Sequence, residues 1–322
     1  MYLDFYGLRE LPFELSPNPK YLLLTPRHRE ALANLQYGIS ARKSLTLLVG
    51  EAGTGKTTLV HAALASEVCR DASIVHLANP SLTRDEFIEF LARGFDLSPE
   101  ARTSKAALLT ELQALLLTRR AAGLTTALVI DEAQCLSRGL LEEIRLLSNV
   151  ETPEEKLLPL VLAGQPEFAD VLEMPSLRQL KQRVALRCTL GLLNATETAA
   201  YIAGRIRIAG GEVAAMFTRD AVEAVYAGSG GIPRTISVIC DNALVTAFAL
   251  GVKPVGVDVI RDVCADFELK RPRRPTAAGR PDPPVSAATE ARPRDAGAPA
   301  AQAERDKPLF TSFEKKRRFS FF

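Results

Sequence analysis

Eight consecutive residues, Gly50-Glu51-Ala52-Gly53-Thr54-Gly55-Lys56-Thr57, have the types and spacing to hold a polyphosphate. Glycines at 50, 53 and 55 let the backbone wrap phosphate oxygens in N–H groups, and a helix opening at this point adds partial positive charge. Lys56 is spaced to reach the outer phosphates, the Thr57 hydroxyl to ligate Mg²⁺, and Thr58 continues the cradle. A second group follows the apolar run Thr126 to Ile130, whose tip carries Asp131 and Glu132. Asp131 is suited to holding Mg²⁺, and Glu132 to polarising an attacking water.

Three further side chains stand where charge on a terminal phosphate could be sensed. Gln165 follows the apolar run Leu157 to Ala163, although turn chemistry beside Gly164 and Pro166 accounts for it equally. Arg183 lies in RQLKQRVALRC just before another strand, placed to reach a neighbouring subunit's nucleotide. Arg178 and Arg187 compete for that role, and a solvated basic face explains all three. Arg234, in Gly-Ile-Pro-Arg, opens a helix whose Gly-Pro turn can aim it at the phosphates; an ordinary surface charge is the alternative.

The elements that must position these groups alternate. Strands at Leu45 to Gly50, Ser73 to Leu77, Thr126 to Ile130, Leu157 to Ala163 and Val184 to Cys188 are separated by helical patterns. One of these, Lys105 to Ala122, has leucines at 108, 109, 112, 115 and 116. Alternation of this kind predicts an α/β fold with a parallel sheet covered on both faces, ligands sitting at the strand C-terminal ends. From Asn194 the strands stop, and Glu197 to Ala209, Thr218 to Ala227, Pro233 to Leu250 and Val257 to Leu269 read as a small helical bundle. The expected organisation is therefore a nucleotide-binding domain over 1–191, a helical lid over 192–268, a disordered Pro/Ala/Arg-rich linker over 269–308, and a basic-aromatic motif over 309–322.

Composition narrows the class further. The chain has 322 residues, 47% hydrophobic and 24% charged, as in ordinary globular proteins. Its five cysteines form no CxxC pair, which suits a reducing compartment. With no secretory leader and no apolar run long enough to span a bilayer, the expected location is cytoplasmic, with peripheral contact to the inner face of the membrane through the tail. Residues 269–322 hold 13 Lys and Arg against 6 Asp and Glu, so +7 sits there and the rest carries −5 of the net +2. An acidic body argues against DNA wrapping and leaves the basic tail open to anionic partners. In that tail Phe310, Phe313, Phe319, Phe321 and Phe322 interleave with Lys315 to Arg318, suiting a partner groove or an anionic bilayer. A solvated tail is the alternative.

With these blocks in view, the chain resembles the AAA+ superfamily, and within it the general secretion pathway A-type (ExeA-like) ATPases. MYLDFYGLRELPF, GEAGTGKTT, DEAQ, LEEIRLLSN, LAGQPEF, RQLKQRVALR and GIPRTISVIC carry the resemblance, in order, over about residues 1–268. It implies a five-stranded core of order 5-1-4-3-2, a helical lid, and ATP with Mg²⁺ bound between them. It implies Walker A roles for Lys56 and Thr57, Walker B roles for Asp131 and Glu132, sensor 1 at Gln165, an arginine finger at Arg183 and sensor 2 at Arg234. The segment His28 to Ile39 matches the helix that frames the adenine, with Tyr37 and Ile39 as the expected contacts or as plain core packing. Relatives of the secretion type continue into a membrane span and a peptidoglycan-binding domain, whereas this sequence runs into its basic tail. That points toward soluble relatives accompanying exopolysaccharide and exosortase systems.

The expected function is an oligomeric, Mg²⁺-dependent ATPase that energises an envelope export machine through a protein partner. A DNA-directed ATPase of the transposition target-selection type is the alternative, and a nucleotide-dependent scaffold is a third.

Overall fold

The structure is a computed structural model and describes residues 2–267. Its strands are β1 (Leu45–Gly50), β2 (Ser73–Leu77), β3 (Thr126–Ile130), β4 (Leu160–Gly164) and β5 (Val184–Leu190). After an N-terminal α1 (Leu3–Tyr6), the helices of the sheet region are α2 (Pro26–Ser40), α3 (Lys56–Leu64), α4 (Arg84–Gly94), α5 (Lys105–Ala121), α6 (Arg138–Leu147), α7 (Pro166–Leu172) and α8 (Arg178–Lys181). Those beyond it are α9 (Ala195–Ile208), α10 (Val213–Met216), α11 (Arg219–Ser229), α12 (Pro233–Leu250) and α13 (Val257–Asp266).

All five strands are parallel, in the order β2-β3-β4-β1-β5. Every residue of β1, β3 and β4 is buried, as uninterrupted apolar runs require when helices cover both faces. The edge strand β5 alternates instead, with Ala185, Arg187 and Thr189 exposed. One face of the sheet packs on α4, α5 and α6, where Leu108, Leu112 and Leu116 form the buried stripe of α5. The opposite face packs on α2 and α3 through Leu35, Ile39, Leu59 and Val60. Capping boxes start α4 (Thr83 with Glu86) and α9 (Asn194 with Glu197), satisfying amides that would otherwise be orphaned.

β4 is shorter than the sequence pattern predicts. Leu157 and Leu158 are buried, but pairing to β1 begins only at Leu160, so the apolar run includes an approach segment as well as the strand.

The helices α9 to α13 have their own core, which includes Ile202, Ile206, Ile236, Ile239 and Leu244. Tyr2, Tyr6, Leu8 and Phe13 are buried in that same core. The Tyr2 hydroxyl donates to Asp241 at 2.6 Å, and the Tyr6 hydroxyl to the Leu244 carbonyl at 3.2 Å. Burial and the Asp241 bond push the Tyr2 phenol well above its ordinary pKa. The N-terminal residues thus complete the helical unit rather than the sheet domain to which the sequence reading assigned them. The expected linker over 269–308 and motif over 309–322 lie outside the described residues. Among the described residues no helix is long and apolar enough to cross a membrane.

Candidate functional site

Because β4 lies between β3 and β1, the C-terminal tips of these strands bring Asp131, Gln165 and Gly50 to one edge of the sheet. Between Gly50 and α3 the loop turns through Gly53 (φ 78°) and Gly55 (φ 96°), a left-handed backbone that favours glycine. Gly55 caps α3 without a side-chain bond, so first-turn amides of the helix stay available to an anion. The Thr54 hydroxyl donates to the Glu51 carbonyl at 2.8 Å and stiffens the turn. Gly50, at the strand end, leaves no room for a side chain: a Cβ there would lie 2.8 Å from the Thr54 hydroxyl. Glu51 and Ala52 are exposed on the outer side of the loop.

Lys56 is buried, and its ammonium donates to the carbonyls of Gly50 at 2.9 Å and Glu51 at 3.1 Å. Burial pushes its pKa down from the ordinary lysine value, against the opposing pull of Glu132, Asp131, Glu51 and Glu167. The Thr57 hydroxyl donates to Asp131 Oδ2 at 2.5 Å, and Asp131 Oδ1 accepts the Glu132 N–H at 2.9 Å. A hydroxyl beside a buried carboxylate is a hard oxygen pair. It suits Mg²⁺, which takes one or two protein ligands and completes its shell with water and phosphate.

Glu132 lines the cleft in front of the loop and has φ 50°, a conformation rare for glutamate. Its Oε2 accepts from Gln134 Nε2 at 2.5 Å, and Gln134 Oε1 accepts the Gln165 N–H at 3.0 Å. Gln165 itself is the residue before α7, half-buried, and it does not line the cleft.

The cleft, about 170 Å³, has walls from three directions. Gly53, Gly55, Lys56, Thr57, Thr58 and Glu132 line one side, and Tyr201, Arg205, Arg234 and Ser237 the helical side. Residues 14–17 form a third wall. Beside it lies a smaller hollow, bordered by Tyr21, Leu22, Leu23, His28, Thr58, Leu193 and Pro233 among others. Its aromatic and aliphatic lining suits a flat heterocyclic base. The Arg205 guanidinium is held between the rings of Tyr21 (5.0 Å) and Tyr201 (4.9 Å) and donates to the Pro12 and Glu14 carbonyls.

Tyr37 and Ile39 are not part of either cavity. The Tyr37 ring is half exposed, with the Lys43 ammonium 5.1 Å above it, and Ile39 is fully buried in the core between sheet and α2. Two residues carry the helix about 200° round, from a surface position to a core position, and α2 presents only its first turn, at His28, to the hollow. The residues that do frame it, Tyr21 to Leu23, Leu193 and Pro233, carry no motif and are apolar positions joined only by the fold.

Arg183 lies at the foot of β5, where Val184 pairs with Leu45, the first residue of β1. That is the opposite end of the sheet from Gly50, about 17 Å away along the strand. Its Nη1 donates to the Ser148 carbonyl at 3.2 Å. Arg178 and Arg187 are both exposed.

A parallel sheet in this order, a glycine loop at its edge and a helical lid across the cleft define an AAA-type P-loop nucleotide-binding domain. Residues 39–172 match the AAA domain family. Over 251 residues the chain is 44% identical to General secretion pathway protein A of Aeromonas hydrophila, an alignment covering 78% of this chain and 46% of that protein. The chain thus carries an AAA-type domain and is similar to General secretion pathway protein A, about half of whose length it spans. In fold it is similar to the Aeropyrum pernix ORC2 protein (TM-score 0.61, 16% identity, 80% of this chain and 72% of that chain). It is likewise similar to Drosophila ORC bound to DNA (TM-score 0.63, 21% identity, 83% and 66%).

Proposed function

We infer that the chain binds ATP with Mg²⁺ and hydrolyses it, and that it does so as an oligomer serving an envelope export or secretion machine. The observation that carries the chemistry is the convergence of Lys56, the Thr57–Asp131 pair and Glu132 on one cleft under the lid. The loop amides and Lys56 would hold the outer phosphates, while Thr57 and Asp131 would hold the ion, which neutralises phosphate charge when bound. Glu132 would orient and deprotonate the attacking water, and Arg234 would add positive charge from the lid. The base would occupy the hollow at Tyr21 and Pro233.

Self-association is supported by Arg183. Its place at the far end of the sheet leaves it useless to its own cleft and suited to a neighbour's. The export role rests on the likeness to General secretion pathway protein A.

The decisive experiment is Glu132→Gln. The variant is expected to keep ATP affinity within about threefold and to lose hydrolysis by about 10²- to 10⁴-fold. Trapped with ATP, it should retain an export-system protein in a pull-down. Near-normal turnover would overturn the hydrolytic reading, and salt-sensitive stimulation by DNA would redirect the biological one.

A further inference from the structure

Gln134 uses both ends of its amide. Nε2 donates to Glu132 Oε2 at 2.5 Å, while Oε1 accepts the backbone N–H of Gln165 at 3.0 Å. The amide therefore bridges the tip of β3 to the tip of β4. Gly164 gives the bridge room, since a Cβ there would lie 3.3 Å from Gln134 Oε1 and 3.2 Å from Phe168 Cβ, tight enough to press on both. Gln165 is fixed in turn, because it opens α7 with Pro166 in the first turn.

Glu132 needs such a partner. Its left-handed backbone projects the side chain from a tight turn, and its own N–H is spent on Asp131. A glutamate with three free torsions would sample many positions over an open cleft. Only the Gln134 amide holds it among the described residues, and it holds one oxygen.

We propose that Gln134 is a positioning residue for hydrolysis: its amide clamps one oxygen of the Glu132 carboxylate to the end of β4, leaving the other free to take the water proton. This rests on the reading of Glu132 as the base. The neutral amide neither donates nor accepts a proton in the step. It fixes where the base stands relative to the phosphate loop, and it ties that position to the backbone before α7. Any shift of the β4 tip is therefore passed to the carboxylate.

The test is a double-mutant cycle on the full chain, read by single-turnover ATP hydrolysis and by nucleotide affinity. Gln134→Leu removes both bonds, and Gln134→Glu keeps the shape but sets a carboxylate against Glu132. Each is expected to lower the hydrolytic rate by about 10- to 100-fold, the loss for a hydrogen bond to a charged group, with ATP affinity unchanged. Because Gln134 acts through Glu132, adding Gln134→Leu to Glu132→Gln should cost nothing further. A wild-type rate in both Gln134 single variants, or full additivity in the double variant, would overturn the proposal. If Glu132→Gln itself turns over normally, the base assignment falls and the clamp with it. If Glu132→Gln is inactive while both Gln134 variants are normal, only the clamp falls. Should Gln134→Leu unfold, Gln134→Glu alone decides.

Discussion

The backbone N–H of Arg234, in the first turn of α12, donates to the carbonyl of Gly53 in the phosphate loop at 3.2 Å. The lid and the loop are thus joined by main chain, independently of what the Arg234 side chain does. A Cβ on Gly53 would lie 2.8 Å from the Arg234 Cβ, at a φ of 78° that already strains any other residue. Gly53→Ala is expected to push the lid off the loop and weaken nucleotide binding by tenfold or more. A fluorescent-nucleotide titration measures it, and unchanged affinity would show that the contact has no functional weight.

Lys56→Ala removes the donor to the Gly50 and Glu51 carbonyls as well as the charge at the cleft. The expected result is loss of measurable ATP binding with the fold retained, checked by calorimetry alongside circular dichroism.

Asp131→Asn keeps the acceptor for Thr57 but removes the charge that would hold Mg²⁺. The Mg²⁺ concentration for half-maximal hydrolysis should rise by about tenfold or more, while nucleotide binding without metal stays near wild type. A magnesium titration of both quantities separates this from a folding defect.

His28 and His76 both have pKa values lowered by burial; for His28 burial outweighs the raising effects of a Thr54 backbone bond and of Glu197, and at His76 the charge of His61 adds to it. The unfolded chain therefore binds protons that the folded chain refuses. Stability is fully present above about pH 6.5 and declines as pH falls from there toward the folded-state values. Urea unfolding at pH 7.5 and 5.5 should show this loss, and His28→Gln should reduce its size. An equal loss in both proteins would remove His28 from the account.

Arg183→Ala is expected to leave ATP affinity unchanged and to lower turnover, with the wild type gaining specific activity as its concentration rises and the variant not. Concentration-independent turnover in the wild type would contradict a role for Arg183 at a neighbour's cleft.

The sheet and the glycine turn at its edge were legible in the sequence because each is local. A strand, its glycine turn and a following helix lie within twenty residues, and Asp131 and Glu132 follow their strand directly. The smaller hollow was not legible. It joins Tyr21, His28, Leu193 and Pro233, residues whose types suit core or turn equally and which only the tertiary fold assembles. Tyr37 was ambiguous for the same reason: a polar aromatic on a helix facing the sheet can point either way, and here the Lys43 ammonium lies over its ring. Gln134 was overlooked as a neighbour of the acidic pair. Its role depends on a backbone N–H 31 residues later, which no local pattern encodes.

The placement of Tyr2, Tyr6 and Phe13 in the core of the lid has a consequence for how the protein is made. Tyr2 and its partner Asp241 are 239 positions apart in the chain. At ribosomal rates that interval lasts roughly 10 to 50 s. Throughout it, these three aromatic side chains precede the surface that will cover them. The sheet can fold meanwhile, but the lid core is complete only when its last helices meet this earlier segment. Nascent chains arrested before α12 should therefore present this uncovered aromatic segment to any chaperone that reads exposed apolar sequence.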